Sequence, residues 1–204
     1  MARSQPPLPS TAAAESARHA SVGAPSPWLL RWAHLIPAAG RVLDVACGNG
    51  RHLRWLAGQG FAVTGVDRDA QALSGLQGLG TLIHADLENG PWPLAGQTFD
   101  AVLVTHYLWR PLLPTLLDSV AAGGILIVET FAQGNETVGR PSRPDFLLRP
   151  GELLHVTQGL RVVAYEDGFL TQPERFIQRV VAVREAAELS AGPARHALQG
   201  VMAR

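Results

Sequence analysis

The sequence predicts an α/β protein with a doubly wound, mostly parallel sheet, and three observations support this prediction. Short apolar runs typical of buried strands occur at 41–46, 61–66, 81–84, 99–104 and 125–128. Amphipathic segments separate these runs, as expected for crossover helices on a parallel sheet. The first run ends in a Gly-x-Gly turn, Gly48 to Gly50, at the strand end where such sheets bind ligands.

Start signals and breaks place the helices. Ser26 followed by Pro27 predicts an N-cap and a first helical position. Helices are predicted at 27–36, 51–59, 69–78, from 111 to about 120, and at 151–157. Two β-like runs, 161–166 and 174–183, lie about eight residues apart and predict a C-terminal antiparallel hairpin. The hairpin completes a seven-stranded sheet.

The folded domain is predicted at 27–184. Residues 1–26 are rich in Ala, Ser and Pro and predict a disordered leader, and 185–204 lack periodicity and predict a flexible tail. A long irregular stretch, 131–149, follows the strongest apolar strand at its carboxyl end. A loop of that length in a compact domain is usually disordered or functional, and its position favours a functional one.

Composition excludes several classes of function. The 17 basic and 17 acidic residues give a formal net charge of zero, which argues against a nucleic-acid partner recognised through its phosphates. Cys47 is the only cysteine, so an internal disulfide and a thiolate-rich metal site are excluded, and no metal is expected. No apolar run approaches a membrane span and no secretory signal is evident, so a cytoplasmic protein is expected.

An acid at the end of the second strand predicts a nucleoside-type cofactor. Asp67 follows the glycine turn at about the spacing where α/β nucleotide folds bind ribose hydroxyls. The dinucleotide fingerprint requires a third glycine at position 53, where this chain has Leu53. A Walker site is excluded because the chain contains no lysine.

The acid and glycine turn, Asp44 with Gly48 and Gly50, resemble the first motif of class I S-adenosylmethionine-dependent methyltransferases. The resemblance covers about residues 40–183. Gly48-Asn-Gly-Arg51, together with the segments 131–136 and 146–154, is most similar to the tellurite-resistance and thiopurine-type branch. It implies a Rossmann-like fold, S-adenosylmethionine as cofactor, and a small-molecule methyl acceptor with a soft atom or heteroatom.

The resemblance also implies roles for residues at each strand end. Asp44 and the backbone of Ala46, Cys47, Gly48 and Gly50 would hold the methionyl part of the cofactor. Asp67 would accept hydrogen bonds from the ribose, and Arg68 would lie along the adenine face. Asp86 would accept from the adenine amino group while Leu87 packs on the ring. The residues predicted to bind cofactor are Asp44, Ala46, Cys47, Gly48, Gly50, Asp67, Arg68, Asp86, Leu87 and Thr105.

The catalytic and acceptor residues are predicted around the next strand end and in the long loop. Thr105 and His106 would line the floor beneath the sulfonium. His106 is the best-placed base because histidine titrates near neutrality, and Tyr107 would orient the acceptor. Three charged residues of the loop are predicted to hold an anionic acceptor, namely Glu136, Arg140 and Arg143. His52 is expected to be neutral at the rim of the pocket.

Alternatives remain open on the sequence alone. Asp67 and Asp86 are also suited to turns or helix caps, and the charged loop to plain solvation. Many relatives carry glycine at the position of Ala46, and the final hairpin offers no match for a branch-specific catalytic residue. The competing functions are a non-catalytic or partner-activated cofactor-binding protein, a dinucleotide enzyme, and a methyltransferase acting on RNA or protein.

Overall fold

The computed structural model describes residues 23–186 and 194–198. The leader expected at 1–26 therefore lies outside the described residues apart from 23–26. Most of the tail expected at 185–204 lies outside them as well. Within the described ranges, no helix has the length and apolarity that a membrane crossing requires.

The sheet has seven strands in the order β3-β2-β1-β4-β5-β7-β6. Their bounds are β1 Arg41–Val45, β2 Ala62–Asp67, β3 Thr81–His84, β4 Phe99–Thr105, β5 Val120–Phe131, β6 Arg161–Thr171 and β7 Glu174–Val183. Strands β1 to β5 pair in parallel, whereas β7 runs antiparallel between β5 and β6. The predicted fold class, with its C-terminal antiparallel hairpin, is confirmed.

Helices cover both faces of this sheet. They are α1 Pro27–Trp32, α2 Arg51–Gly58, α3 Ala70–Ser74, α4 Leu113–Asp118 and α5 Glu152–Val156. Helices α1 to α3 pack on one face, where Trp28, Trp32 and Leu53 join one buried cluster. Helices α4 and α5 pack on the other face through Leu116 and Leu153. Successive strand residues point to opposite faces, so each central strand contributes to both clusters.

The N-terminus of α1 forms as predicted. The Ser26 hydroxyl accepts a hydrogen bond from the backbone N–H of Trp28 at 3.1 Å, and Pro27 occupies the first helical position. Helix α3 is shorter than predicted because it begins after its N-cap, Asp69, and ends at Gly75. Glycine lowers helix propensity, which explains the early end.

The C-terminal hairpin is longer than predicted. Strand β6 continues to Thr171, so only Gln172 and Pro173 separate it from β7, where a gap of about eight residues was expected. The added part of β6, residues 167–171, is mostly exposed because β6 is an edge strand of the sheet. The prediction relied on alternating apolar and polar residues, which indicate a strand with one buried face. An edge strand that is exposed on both faces does not show this alternation.

The stretch 131–149 is ordered by short elements and side-chain contacts. Single-turn 3₁₀ helices occupy Asn135–Thr137 and Pro144–Phe146, and Ala132 bridges Leu148. The Arg110 guanidinium donates to the carbonyl oxygens of Asp145 and Leu147, both at 2.8 Å. These contacts hold the segment against the carboxyl end of β5.

Candidate active site

The candidate site lies where the strand order changes direction, between β1 and β4. An open cleft of about 350 Å³ is found there, along the carboxyl ends of β1 to β5. Ligands bind at this edge in open α/β sheets. The lining residues are Ala46, Asp67, Arg68, Ala85, Asp86, Leu87, Glu88, His106, Tyr107, Leu108, Thr130, Phe131, Pro141 and Phe146.

The glycine turn after β1 depends on left-handed backbone conformations. Gly48 and Gly50 have φ of 52° and 70°, and Ala46 adopts φ 53° without being glycine. A Cβ on Gly50 would lie 2.5 Å from Cδ2 of the buried Leu76, so this glycine is required by packing. A Cβ on Gly48 would meet nothing within 4 Å. Gly48 therefore keeps its backbone open to a ligand, whereas Gly50 closes the turn against the core.

Asp67 connects this turn to the end of β2. Its Oδ2 accepts from the Gly48 N–H at 2.7 Å, and its Oδ1 accepts from the Asp69 N–H at 2.9 Å. The carboxylate also lines the cleft. Each oxygen retains lone pairs after one such bond, so Asp67 orders the turn and can still accept from a ligand.

Asp86 also has a local structural role. Its oxygens accept from the Glu88 N–H and the Asn89 side-chain amide, both at 2.9 Å. These hydrogen bonds, with that of Asn89 the strongest, lower the pKa of Asp86. The carboxylate is therefore ionised in a turn at the cleft wall. Arg68 and Leu87 line the same end of the cleft.

A buried polar cluster lies beneath the glycine turn. The Asp44 and His52 side chains are 1% and 2% exposed, with Oδ2 and Nδ1 3.6 Å apart. The same Nδ1 lies 3.4 Å from the Thr105 hydroxyl. Burial raises the pKa of Asp44, and the neighbouring His52 opposes that rise. His52 is thus part of the interior, and its expected place at the pocket rim is wrong.

Several predicted cofactor residues therefore lie under the cleft and do not line it. Asp44, Cys47, Gly50 and Thr105 are buried, and Gly48 is half-buried. Burial raises the pKa of the Cys47 thiol to about 12, so this thiol is protonated at neutral pH. Among the described residues, neither Asp44 oxygen has a hydrogen-bond partner. Asp44 therefore keeps unused hydrogen-bonding capacity in the interior, with His52 as its neighbour at 3.6 Å.

His106 stands at the opposite end of the cleft, after β4. Its φ of 55° is left-handed, and its backbone N–H donates to the Glu129 carbonyl at 2.9 Å. The ring packs against Phe131 in a tilted arrangement, with centroids 5.0 Å apart and an interplanar angle of 34°. Burial, and then the charges of Arg51 and Arg175, lower its pKa to about 4. The imidazole is neutral at pH 7, so the expected titration near neutrality is corrected.

Tyr107 follows His106 along the cleft wall. Its hydroxyl is buried and has no hydrogen-bond partner among the described residues. Burial raises the pKa of the phenol, so the hydroxyl keeps its proton at neutral pH. A buried donor without a partner costs free energy unless a ligand or water meets it.

The charged loop residues predicted to hold the acceptor do not line the cleft. Glu136, Arg140 and Arg143 are exposed. Glu136 accepts from the Gly134 N–H at 2.8 Å, and Arg143 pairs with Asp145 at 2.9 Å on the surface. The loop instead contributes Phe131, Pro141 and Phe146 to the cleft.

Two arginines beside the cleft were missed at the level of sequence. Arg51 opens α2, and its Nη2 lies 3.4 Å from His106 Nδ1. Arg175 is the second residue of β7, and its Nη1 lies 3.3 Å from His106 Nε2. Arg51 is the last residue of the motif Gly48-Asn-Gly-Arg51, so its position next to the glycine turn could have been predicted from the sequence. Arg175 became visible only once β7 was placed antiparallel to β5.

Comparison with known proteins agrees with this geometry. Residues 42–123 match the family model described as a methyltransferase domain. No curated protein sequence matches the chain. An S-adenosylmethionine-dependent methyltransferase from Methanosarcina mazei aligns with a TM-score of 0.62 at 14% identity, over 80% of this chain and 99% of that one.

Two further solved structures share the fold. TehB from Haemophilus influenzae aligns with a TM-score of 0.60 at 17% identity over 75% of this chain, which spans only 60% of TehB. Coclaurine N-methyltransferase, bound to N-methylheliamine and S-adenosylhomocysteine, aligns with a TM-score of 0.57 at 13% identity. That alignment covers 74% of this chain and 69% of the other.

The donors and acceptors at the glycine end agree in kind with such a cofactor. Asp44 offers a buried acceptor, Gly48 an open backbone, and Asp67 a carboxylate on the cleft wall. Residues 42–123 therefore carry a methyltransferase domain, and the chain has the fold of S-adenosylmethionine-dependent methyltransferases.

Proposed function

We propose that the protein methylates a small-molecule acceptor through a catalytic domain at 27–184. The methyl group would come from S-adenosylmethionine by in-line displacement at its sulfonium. The observation that carries the proposal is the division of one cleft into two ends. Ala46, Asp67 and Asp86 line one end, where they suit a nucleoside, and His106 and Phe131 line the other. Because one cleft contains both sets of residues, it could hold cofactor and acceptor side by side, and this supports methyl transfer between them.

At the cofactor end, each group has a distinct task. Asp44 and the backbone of Ala46 to Gly50 would hold the amino-acid part, and Asp67 would accept from the ribose hydroxyls. Asp86 and Leu87 would receive the adenine beside Arg68. The bound cofactor supplies an electrophilic methyl group. The protein's contribution is alignment, and proximity alone lowers such barriers by about 7–11 kcal/mol.

At the acceptor end, His106 and Tyr107 would orient the acceptor atom. Neutral His106 can accept a hydrogen bond from an acceptor that carries a proton. Its low pKa makes it a weak base, so an acceptor that arrives deprotonated suits this site best. The buried Tyr107 hydroxyl can donate one hydrogen bond to the acceptor.

The loop residues are assigned a more peripheral role. Glu136, Arg140 and Arg143 lie outside the cleft and would meet only the exposed part of an acceptor. Coclaurine N-methyltransferase, which shares the fold, is bound to N-methylheliamine, and this supports a small-molecule acceptor.

Two measurements, made one after the other, test the proposal. Isothermal titration with S-adenosylhomocysteine should show binding, and a methyl-transfer assay across thiol, amine, carboxylate and oxyanion acceptors should then show turnover. Binding without turnover on any acceptor would favour a non-catalytic or partner-activated protein. Turnover on RNA or protein alone would contradict the small-molecule assignment. Stabilisation by NADH, with none by S-adenosylhomocysteine, would indicate a dinucleotide enzyme.

A further inference from the structure

We infer that Arg51, Arg175 and His106 form an anion subsite at the acceptor end of the cleft, and that the acceptor carries a carboxylate. This inference rests on the proposed function, because it assigns the acceptor of the same site. It replaces the exposed loop arginines with two half-buried ones. Charge, contacts and position each support it.

The contacts around His106 leave a hydrogen-bond donor in excess. Guanidinium groups approach both ring nitrogens, Arg51 at 3.4 Å from Nδ1 and Arg175 at 3.3 Å from Nε2. A neutral imidazole has one accepting nitrogen, and its other nitrogen is a donor. Only one of the two arginines can therefore donate to the ring. The other arginine places its own N–H donor beside the N–H of the imidazole. An anion between these two donors would accept a hydrogen bond from each.

Within the described residues, the two arginines of this cluster lack the direct ion pairs that the neighbouring Arg179 makes. Among residues 23–186 and 194–198, neither Arg51 nor Arg175 forms an ion pair with a carboxylate. Glu129, whose Oε1 lies 3.9 Å from His106 Nε2, already accepts from Ser26 and from Arg179, both at 3.1 Å. Arg179, on the same strand as Arg175, has two carboxylate partners, Glu129 and Glu166.

The desolvated part of Arg175 has no partner either. Its Nε is buried and makes no hydrogen bond within the described part of the chain. Guanidinium is a preferred partner of carboxylates because its planar N–H groups match the two oxygens. Partial burial of an arginine without an anion costs desolvation free energy, and a bound carboxylate would offset that cost.

The position of the cluster favours the acceptor over the cofactor. Arg175 enters from β7, which lies on the far side of β5 from the glycine turn. His106 lines the cleft with Phe131 and Phe146, which offer apolar surface. An acceptor with an apolar or aromatic body and one carboxylate matches both features. The carboxylate of the cofactor is the competing occupant, because Arg51 begins the helix that follows the glycine turn.

The test uses protein saturated with S-adenosylhomocysteine and titrated with benzoate, and with benzamide as a neutral analogue. Wild type should bind benzoate, Arg175→Gln should bind it at least tenfold more weakly, and benzamide should not distinguish the two proteins. Arg161→Gln is the matched control, because Arg161 is an exposed hairpin arginine paired with Glu185. Benzoate affinity of the control should equal that of wild type.

Further measurements keep the outcomes distinct. Benzoate binding to wild type should weaken as salt rises, which tests the charge without any variant. Absence of benzoate binding, or equal binding by Arg175→Gln, overturns the inference. A third outcome would also overturn the inference. If Arg175→Gln bound S-adenosylhomocysteine more weakly but bound 5′-methylthioadenosine, which lacks the carboxylate, as wild type does, the arginine would bind the cofactor's carboxylate. Failure of wild type to bind S-adenosylhomocysteine would instead reject the proposed function.

Discussion

Substitution of Asp67 by alanine should weaken cofactor binding with a smaller effect on folding. The carboxylate holds the Gly48 N–H at 2.7 Å and the Asp69 N–H at 2.9 Å, and it lines the cleft. Removing it deletes the proposed acceptor for the ribose hydroxyls. It also frees the N–H of Gly48, so the turn is less well ordered before the ligand arrives.

The expected magnitude follows from these contacts. A hydrogen bond to a charged group contributes about 1.5–3 kcal/mol, and the hydroxyls left in the complex can partly rebind water. We expect a loss of about 2 kcal/mol in binding free energy, or roughly a 30-fold rise in the dissociation constant of S-adenosylhomocysteine. Asp67→Asn keeps one carbonyl oxygen and should show a smaller loss.

Isothermal titration of S-adenosylhomocysteine measures this effect, and Asp69→Ala provides the matched control. Asp69 caps α3 by accepting from the N–H groups of Gln71 and Ala72 at 2.9 and 3.0 Å, and it does not line the cleft. Its loss should cost about 1 kcal/mol of folding stability with unchanged affinity. Equal affinities of Asp67→Ala and wild type would refute the placement of the ribose at Asp67.

Three further predictions concern the glycine turn and His106. Gly50→Ala should lower the free energy of unfolding by roughly 2–4 kcal/mol, because φ is 70° and the new Cβ would lie 2.5 Å from Leu76; thermal or urea unfolding measures this. Gly48→Ala should cost only about 1–2 kcal/mol of stability yet weaken S-adenosylhomocysteine binding at least tenfold in titration, because its Cβ would enter open space. His106→Gln should lose less stability than wild type between pH 6.5 and 4 in urea unfolding.

The sign of the pH effect follows from the lowered pKa of His106. Below its ordinary value of 6.5 the unfolded chain binds a proton that the folded protein, with a pKa of about 4, does not. Wild type should therefore lose stability as the pH falls from 6.5 toward 4, and the part of this loss that is due to His106 should be absent in His106→Gln. Identical acid profiles for wild type and His106→Gln would contradict the burial argument. Equal stability losses in the two glycine variants would contradict their separate roles.

The edge that we propose binds the cofactor was predictable as a cluster of residues because local motifs define it. A glycine turn after a first strand, and acids after the second and third, are read directly from the chain. Parallel pairing then brings these strand ends to one edge. Asp67 and Asp86 meet at the cleft for that reason, and each also forms the turn contacts that the sequence left open as alternatives.

The proposed acceptor end was less predictable because long-range pairing builds it. Arg175 reaches His106 only because β7 inserts antiparallel between β5 and β6. The loop arginines Arg140 and Arg143 carry the right charge, but the chain path turns them to solvent. His52 was misplaced for a similar reason. Its position in the first turn of α2 fixes its distance from the glycine turn, whereas its burial depends on how α2 packs against β1 and β4.

A crystal structure with S-adenosylhomocysteine bound would test the proposed cleft most directly. We expect the ribose on Asp67, the adenine beside Asp86 and Leu87, and the sulfur directed along the cleft toward His106. Binding of the ligand at another surface, or in this cleft with its adenine toward His106, would contradict this placement.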